Sequence, residues 1–138
     1  MGPGKMTLRM DAVRKGWLLG GWIGIALVVY LSLTPSPPEV DLGAYTDKWE
    51  HMTAYAVLMW WFCQLHTAAR SRLQLAAWLL VLGIALEFGQ RMTGIRSFEV
   101  ADMIAGGMGV ALGWLLAPPR TPEVLSRLAR ADEERGAR

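Results

Sequence analysis

A chain of 138 residues has room for one domain, and 53% of it is apolar against 19% charged. The two populations are segregated, and with a mean hydropathy of +0.27 the alternation of long apolar runs with short charged stretches is a membrane pattern rather than a nucleic-acid-binding one. A net charge of +2 requires no acidic partner, and the single cysteine, Cys63, excludes an intrachain disulfide and a cysteine-rich metal site.

Residues 1–16 form a basic stretch carrying Lys5, Arg9, Arg14 and Lys15. The first apolar run, Trp17–Leu33, follows it, so a secretory signal peptide competes with a retained span. The next residues, TPSPPEV, suit a turn and make a poor small-residue cleavage site, so the span is expected to be retained. Thr34–Glu50 reads as an acidic loop, proline-rich at its start. Three more runs follow, His51–Ala69, Leu73–Gly89 and Val100–Leu116. Each run has about 17–19 residues and reaches about 25–29 Å as a helix, the short end of what crosses a bilayer. Four such runs leave too little polar surface for a soluble protein. Cys63 lies inside the second run and reads as a small buried apolar residue. Residues 118–138 form a charged tail. There Thr121 is expected to cap a short helix with Pro122 at its first position, and Val124, Leu125 and Leu128 give a weak apolar face. No fixed-period repeat or inverted symmetry appears. The expected fold is all-α, an integral membrane four-helix bundle over residues 17–117.

Counting Lys and Arg orients it. The N-terminal stretch, the second-to-third link with Arg70 and Arg72, and the tail with Arg120, Arg127, Arg130, Arg135 and Arg138 hold eleven. The two remaining loops hold three, Lys48, Arg91 and Arg96. Both termini are therefore expected in the cytoplasm, with Trp17 and Trp49 as interfacial aromatics.

That orientation collects ionisable residues at the outer face. Asp47, Lys48 and His51 open the second span, Glu87 and Gln90 close the third, and Arg96 and Asp102 open the fourth. Asp47, His51 and Tyr55 fall on one helical stripe. Asp102, Gly106, Gly109 and Gly113 share a face of the fourth span, whose glycines permit close helix approach and would press Asp102 inward. Structural readings compete at each position. Asp47 with Glu50 has capping-box spacing, which suffices for Glu50 and is an even contest for Asp47. Positive charge near a helix N-terminus is disfavoured, so the field there favours the neutral imidazole that a general base or metal ligand needs. The bland alternative for His51 is a buried, hydrogen-bonded histidine. Glu87 sits where desolvation and the helix dipole both oppose a carboxylate, with a bridge to Arg91 as its structural reading. An ionisable residue at membrane depth is nevertheless a functional candidate. Asp102, about one turn past a Ser97 cap, should stay ionised and orient His51 or pair with Arg96. His66, near the cytoplasmic end of its span, stands apart.

These residues carry a resemblance. DKWEH with Tyr55, then EFGQ, then RSFEVAD and a glycine-rich helix, in that order and spacing from about Ser32 to Trp114, resemble the VanZ-like family of small bacterial membrane proteins. The family pattern maps onto Asp47, Lys48, His51, Tyr55, Glu87, Gln90, Arg96 and Asp102. One departure is Gly106, where family members often carry asparagine. The resemblance implies a fold and a cell-envelope context, and through the family's namesake a link to teicoplanin resistance, rather than a mechanism.

Three functions compete. In the first, an enzyme performs hydrolysis or group transfer on a lipid-linked or cell-wall precursor. His51 is its base, oriented by Asp102 or Asp47, and Glu87 its proton donor; Lys48 and Arg96 hold an anionic group, with Gln90 and Tyr55 also at the substrate. No Gly-x-Ser-x-Gly, His-Glu-x-x-His or Cys-x-x-Cys pattern selects the chemistry, so no cofactor is assigned. A metal on His51, Glu87 and Asp102 is a minority option, because a single histidine lacks helical ligand spacing. In the second, the same charges bind an anionic headgroup or a glycopeptide without catalysis. In the third they are a structural network, with bridges such as Lys48–Glu87 or Arg96–Asp102. Membrane lipids are the expected partners, with no nucleic acid, and self-association through Gly106, Gly109 and Gly113 is open.

Overall fold

The structure, a computed structural model, describes residues 3–35, 45–94 and 99–136. The described residues form five helices: α1 (Pro3–Leu33), α2 (Thr46–Cys63), α3 (Ala69–Thr93), α4 (Val100–Leu115) and α5 (Val124–Gly136). Arg96, the proposed Ser97 cap and most of the proline-rich loop lie outside the described residues.

The helices start and stop for local reasons. α1 runs back through the basic stretch because only Gly16 interrupts it between Lys5 and the apolar run. It ends where Thr34 donates its hydroxyl to Tyr30 O at 2.6 Å, two residues before a proline. α2 stops at Cys63, six residues short of the expected Ala69, and α3 starts at Ala69 rather than Leu73. Arg72 explains the shift. Its guanidinium donates to His66 O at 2.7 Å and to Cys63 O at 3.4 Å, satisfying carbonyls that a longer α2 would have used itself. α3 ends on Gly94, whose φ of 67° is left-handed and whose amide bonds Arg91 O, a conformation that costs a glycine nothing.

Two capping expectations are corrected. Tyr45, not Asp47, occupies the N-cap of α2, its carbonyl accepting from the Lys48 and Trp49 amides, so the Asp47–Glu50 capping box does not form. Thr121 does not cap α5 either. Its hydroxyl donates to Leu116 O at 2.5 Å and accepts from the Trp60 indole at 2.9 Å. Gln64 supplies the cap instead, its Oε1 accepting from the Val124 amide at 3.0 Å. α5 is consequently tied to the end of α2 and also packs on α1.

The most extensive packing joins α2 to α4. Carbon added at Gly109 would lie 2.2 Å from Met52 O, and at Gly113 2.4 Å from Ala56 O, so only glycine lets the backbones approach this closely. The glycine face weighed for self-association is thus filled by α2 of the same chain. α3 covers α4 and touches α2, and α1 lies against α2 and α3. Where α1 meets α2, the Trp17 and Trp61 rings stack with centroids 3.9 Å apart, and each indole N–H donates to the other's backbone carbonyl at 2.9 Å. Trp17 is therefore buried against α2, whereas Trp49 is exposed. Tyr55, Leu58, Met59, Leu79 and Val110 make the centre of the core, with Cys63 buried beside them as expected.

Two segments are long and apolar enough to cross a membrane, Met10–Leu33 and Ala69–Thr93, and Val100–Leu115 is a shorter apolar helix. Only 17% and 22% of the most apolar windows of the two long segments are buried, so they are not core helices sheathed by protein. Leu19, Ile23 and Leu27 on α1, Val81, Ile84 and Phe88 on α3, and Ile104 and Met108 on α4 all face outward.

Candidate functional site

The first turn of α2, the last turns of α3 and the first turn of α4 meet at one end of the molecule. They bring together His51, Glu87 and Asp102, which can each offer a ligand atom within 4.8 Å of the others. The residues come from three helices and span more than a third of the chain. Their meeting follows from the glycine seam, which sets α4 against α2 at the level of Met52, next to His51.

Each of the three is held by a neighbour. Asp47 O lies 2.9 Å from His51 Nδ1. A carbonyl only accepts, so Nδ1 carries a proton and it is Nε2 that is left for another partner. Asp47 enters the site through its backbone. Glu87, 2% exposed, accepts the Glu99 amide on Oε1 at 2.7 Å. Asp102, 8% exposed, has Oδ1 3.1 Å from Lys48 Nζ, an ion pair whose direction falls short of a hydrogen bond. Lys48 also donates to Glu99 Oε2 at 2.5 Å. The hydrogen bond to Glu99 first, and the adjacent Asp102 carboxylate second, push the Lys48 ammonium well above the ordinary lysine value.

Glu99 is the residue the sequence reading missed, although Glu99-x-x-Asp102 repeats the Asp47-x-x-Glu50 spacing at another helix start. It joins all three helices, as the N-cap residue of α4, the ion-pair partner of Lys48 on α2 and the amide donor to Glu87 on α3. The anticipated Lys48–Glu87 bridge is replaced by Lys48–Glu99 and Lys48–Asp102. Gln90, also 2% exposed, donates to Ser32 O on α1 at 2.8 Å and ties α3 to α1 outside the cluster. His66 stands apart from the cluster, in the link between α2 and α3.

A cavity of about 110 Å³ opens beside the cluster, lined by His51, Glu87, Asp102 and Tyr55 at its polar side and by Leu79, Leu80, Ile84 and Met103 elsewhere. Gly83, Gly106 and Gly107 complete its wall. Tyr55 is buried against two of these glycines: carbon added at Gly83 would meet its hydroxyl at 3.1 Å, and at Gly106 its ring at 3.4 Å. Leu80 and Ile84 line the cavity and are also exposed, so its rim reaches the outward apolar face of α3. The leucines, Ile84 and Met103 of this wall had no signal in the sequence.

Chemically, the arrangement joins a proton-accepting nitrogen to two buried carboxylates beside an amphiphilic space. Set against models of known families, characterised proteins and solved structures, the chain matches none of them.

Proposed function

We propose that this protein is a VanZ-like, four-span bacterial inner-membrane protein whose α2–α3–α4 site faces outward and acts on a lipid-linked or cell-wall precursor by hydrolysis or group transfer. The observation that carries the reading is the convergence of His51, Glu87 and Asp102 at the wall of one cavity. The outward leucines, isoleucines and phenylalanine of α1, α3 and α4 favour a lipid surrounding, since apolar surface on this scale is costly in water. The Lys and Arg distribution favours cytoplasmic termini and hence an outward site. The cavity suits an amphiphile, with a polar head at the cluster and an apolar portion along Leu80 and Ile84.

In this reading His51 Nε2 takes the proton of the attacking water or hydroxyl, and Asp102 balances the imidazolium that forms. Glu87, when protonated, returns a proton to the leaving oxygen. The family link to glycopeptide resistance belongs to the same proposal.

A second reading is favoured by a different observation: Lys48 pairs with Glu99 and Asp102, and the Glu87 carboxylate accepts the Glu99 amide, so the four residues link three helices. Here the charges fix helix register and do no chemistry. Lipid and cell-wall precursor profiles of cells carrying wild type or His51→Ala, at matched protein levels, separate the two. The enzymatic reading expects the wild-type change in profile to vanish in the variant; a variant indistinguishable from wild type overturns it.

A further inference from the structure

We infer that His51, Glu87 and Asp102 hold a divalent metal ion, with Zn²⁺ or Mn²⁺ as its class. The inference rests on the site reading above and recasts His51 as a ligand rather than a free base. Three observations carry it.

The first is the donor set. The three ligand atoms come from three separate helices and lie within 4.8 Å of one another. Neighbouring ligands of a tetrahedral ion with bonds of about 2.1 Å stand about 3.4 Å apart, so separations of up to 4.8 Å must close by as much as about 1.4 Å, which rotation about the side-chain torsions of three ligands can supply. One imidazole with two carboxylates suits Mn²⁺ or Zn²⁺, whereas Ca²⁺ and Mg²⁺ favour all-oxygen shells.

The second is orientation from behind. Metal-binding histidines almost always donate their other ring N–H to a carbonyl or carboxylate, and ligating carboxylates are themselves hydrogen-bonded. His51 meets this requirement at Asp47 O, which leaves Nε2 available. Glu87 is anchored on Oε1 by the Glu99 amide, and Asp102 on Oδ1 by Lys48. Each of the three side chains therefore has one atom facing a partner within the protein.

The third is charge. The ion pairs and hydrogen bonds of the cluster set Glu87, Glu99 and Asp102 against Lys48, an excess of two negative charges among these four when all are ionised. Glu87 and Asp102 are both more than nine-tenths buried, and Asp102 Oδ1 lacks a hydrogen bond. Buried charge of this kind is expensive unless paired or metal-bound. One divalent ion brings the group to neutrality, and its remaining coordination positions would open on the cavity.

The test is metal retention by the full chain in detergent, stripped with a chelator and dialysed against Zn²⁺ alone or Mn²⁺ alone. Wild type is expected to retain one ion per chain. His51→Gln, Glu87→Gln and Asp102→Asn should each weaken retention at least about tenfold, while the exposed Glu123→Gln leaves it unchanged. With Mn²⁺ bound, the nitrogen coupling in the electron spin-echo spectrum should disappear in His51→Gln. Wild type that retains neither ion overturns the inference even if every variant misfolds, as does retention unaffected by all three substitutions. Metal binding without any effect of His51→Ala on precursor profiles would sink the enzymatic reading and leave the metal site standing; a profile effect without metal binding would do the reverse.

Discussion

Gly109→Ala is the sharpest probe of the geometry on which the site depends. The new methyl would lie 2.2 Å from Met52 O, 3.0 Å from the Met52 carbonyl carbon and 3.1 Å from the Ala56 amide nitrogen. All three are backbone atoms within α2, so no rotamer change relieves them. Restoring ordinary contact requires α4 to withdraw by roughly 1 Å or more. Overpacking of this kind costs about 1–3 kcal/mol, and a value at the upper end is expected where backbone meets backbone. The better helix propensity of alanine, about 1 kcal/mol, offsets part of it. Gly107→Ala is the matched control, since its methyl would meet Leu80 at 3.6 Å, an ordinary contact, and should be neutral or stabilising. The two variants should therefore differ by about 2 kcal/mol in equilibrium unfolding of the detergent-solubilised protein, followed by far-ultraviolet circular dichroism. Equal stability of the two would refute the close α2–α4 crossing, and with it the structural basis for bringing His51 and Asp102 together.

Two further predictions concern charge and space. Because Lys48 is held above the ordinary lysine value of 10.5, its stabilising contribution is fully present below that value and is lost only as pH rises through the higher folded-state one. At pH 9.5, amine acylation with a mass-spectrometric readout should accordingly modify the exposed Lys15 readily and Lys48 poorly; equal labelling would contradict the Glu99–Lys48–Asp102 arrangement. Gly106→Leu tests the cavity: its first carbon fits against the Tyr55 ring at 3.4 Å and the rest projects into the space beside the cluster. The protein should remain folded by circular dichroism but lose its effect on precursor profiles, and an undiminished effect would show the cavity to be irrelevant.

The four apolar runs and the charged stretches between them were legible because they are local properties. Helix formation follows from composition, and the positions of His51, Glu87 and Asp102 at run ends follow from counting. Periodicity likewise placed Gly109 and Gly113 on the face of α4 that carries Asp102. Helix ends were less legible. Cys63, not Ala69, ends α2 because Arg72 reaches back to carbonyls six and nine residues earlier, and Gln64 caps α5 from sixty residues away. Neither bond leaves a trace in hydrophobic periodicity.

Sequence alone therefore determined the helical runs, their polar ends and the glycine face, since each depends on residues within a few turns of one another. Tertiary structure decided which polar groups meet. It spent the glycine face on α2, assigned Lys48 to Glu99 and Asp102, recruited the Asp47 backbone for His51, and brought Leu79, Leu80 and Ile84 to the cavity wall. Those outcomes depend on how three helices are rotated and spaced against one another, and that spacing is set by backbone contact at Gly109 and Gly113 to within a fraction of the width of a methyl group.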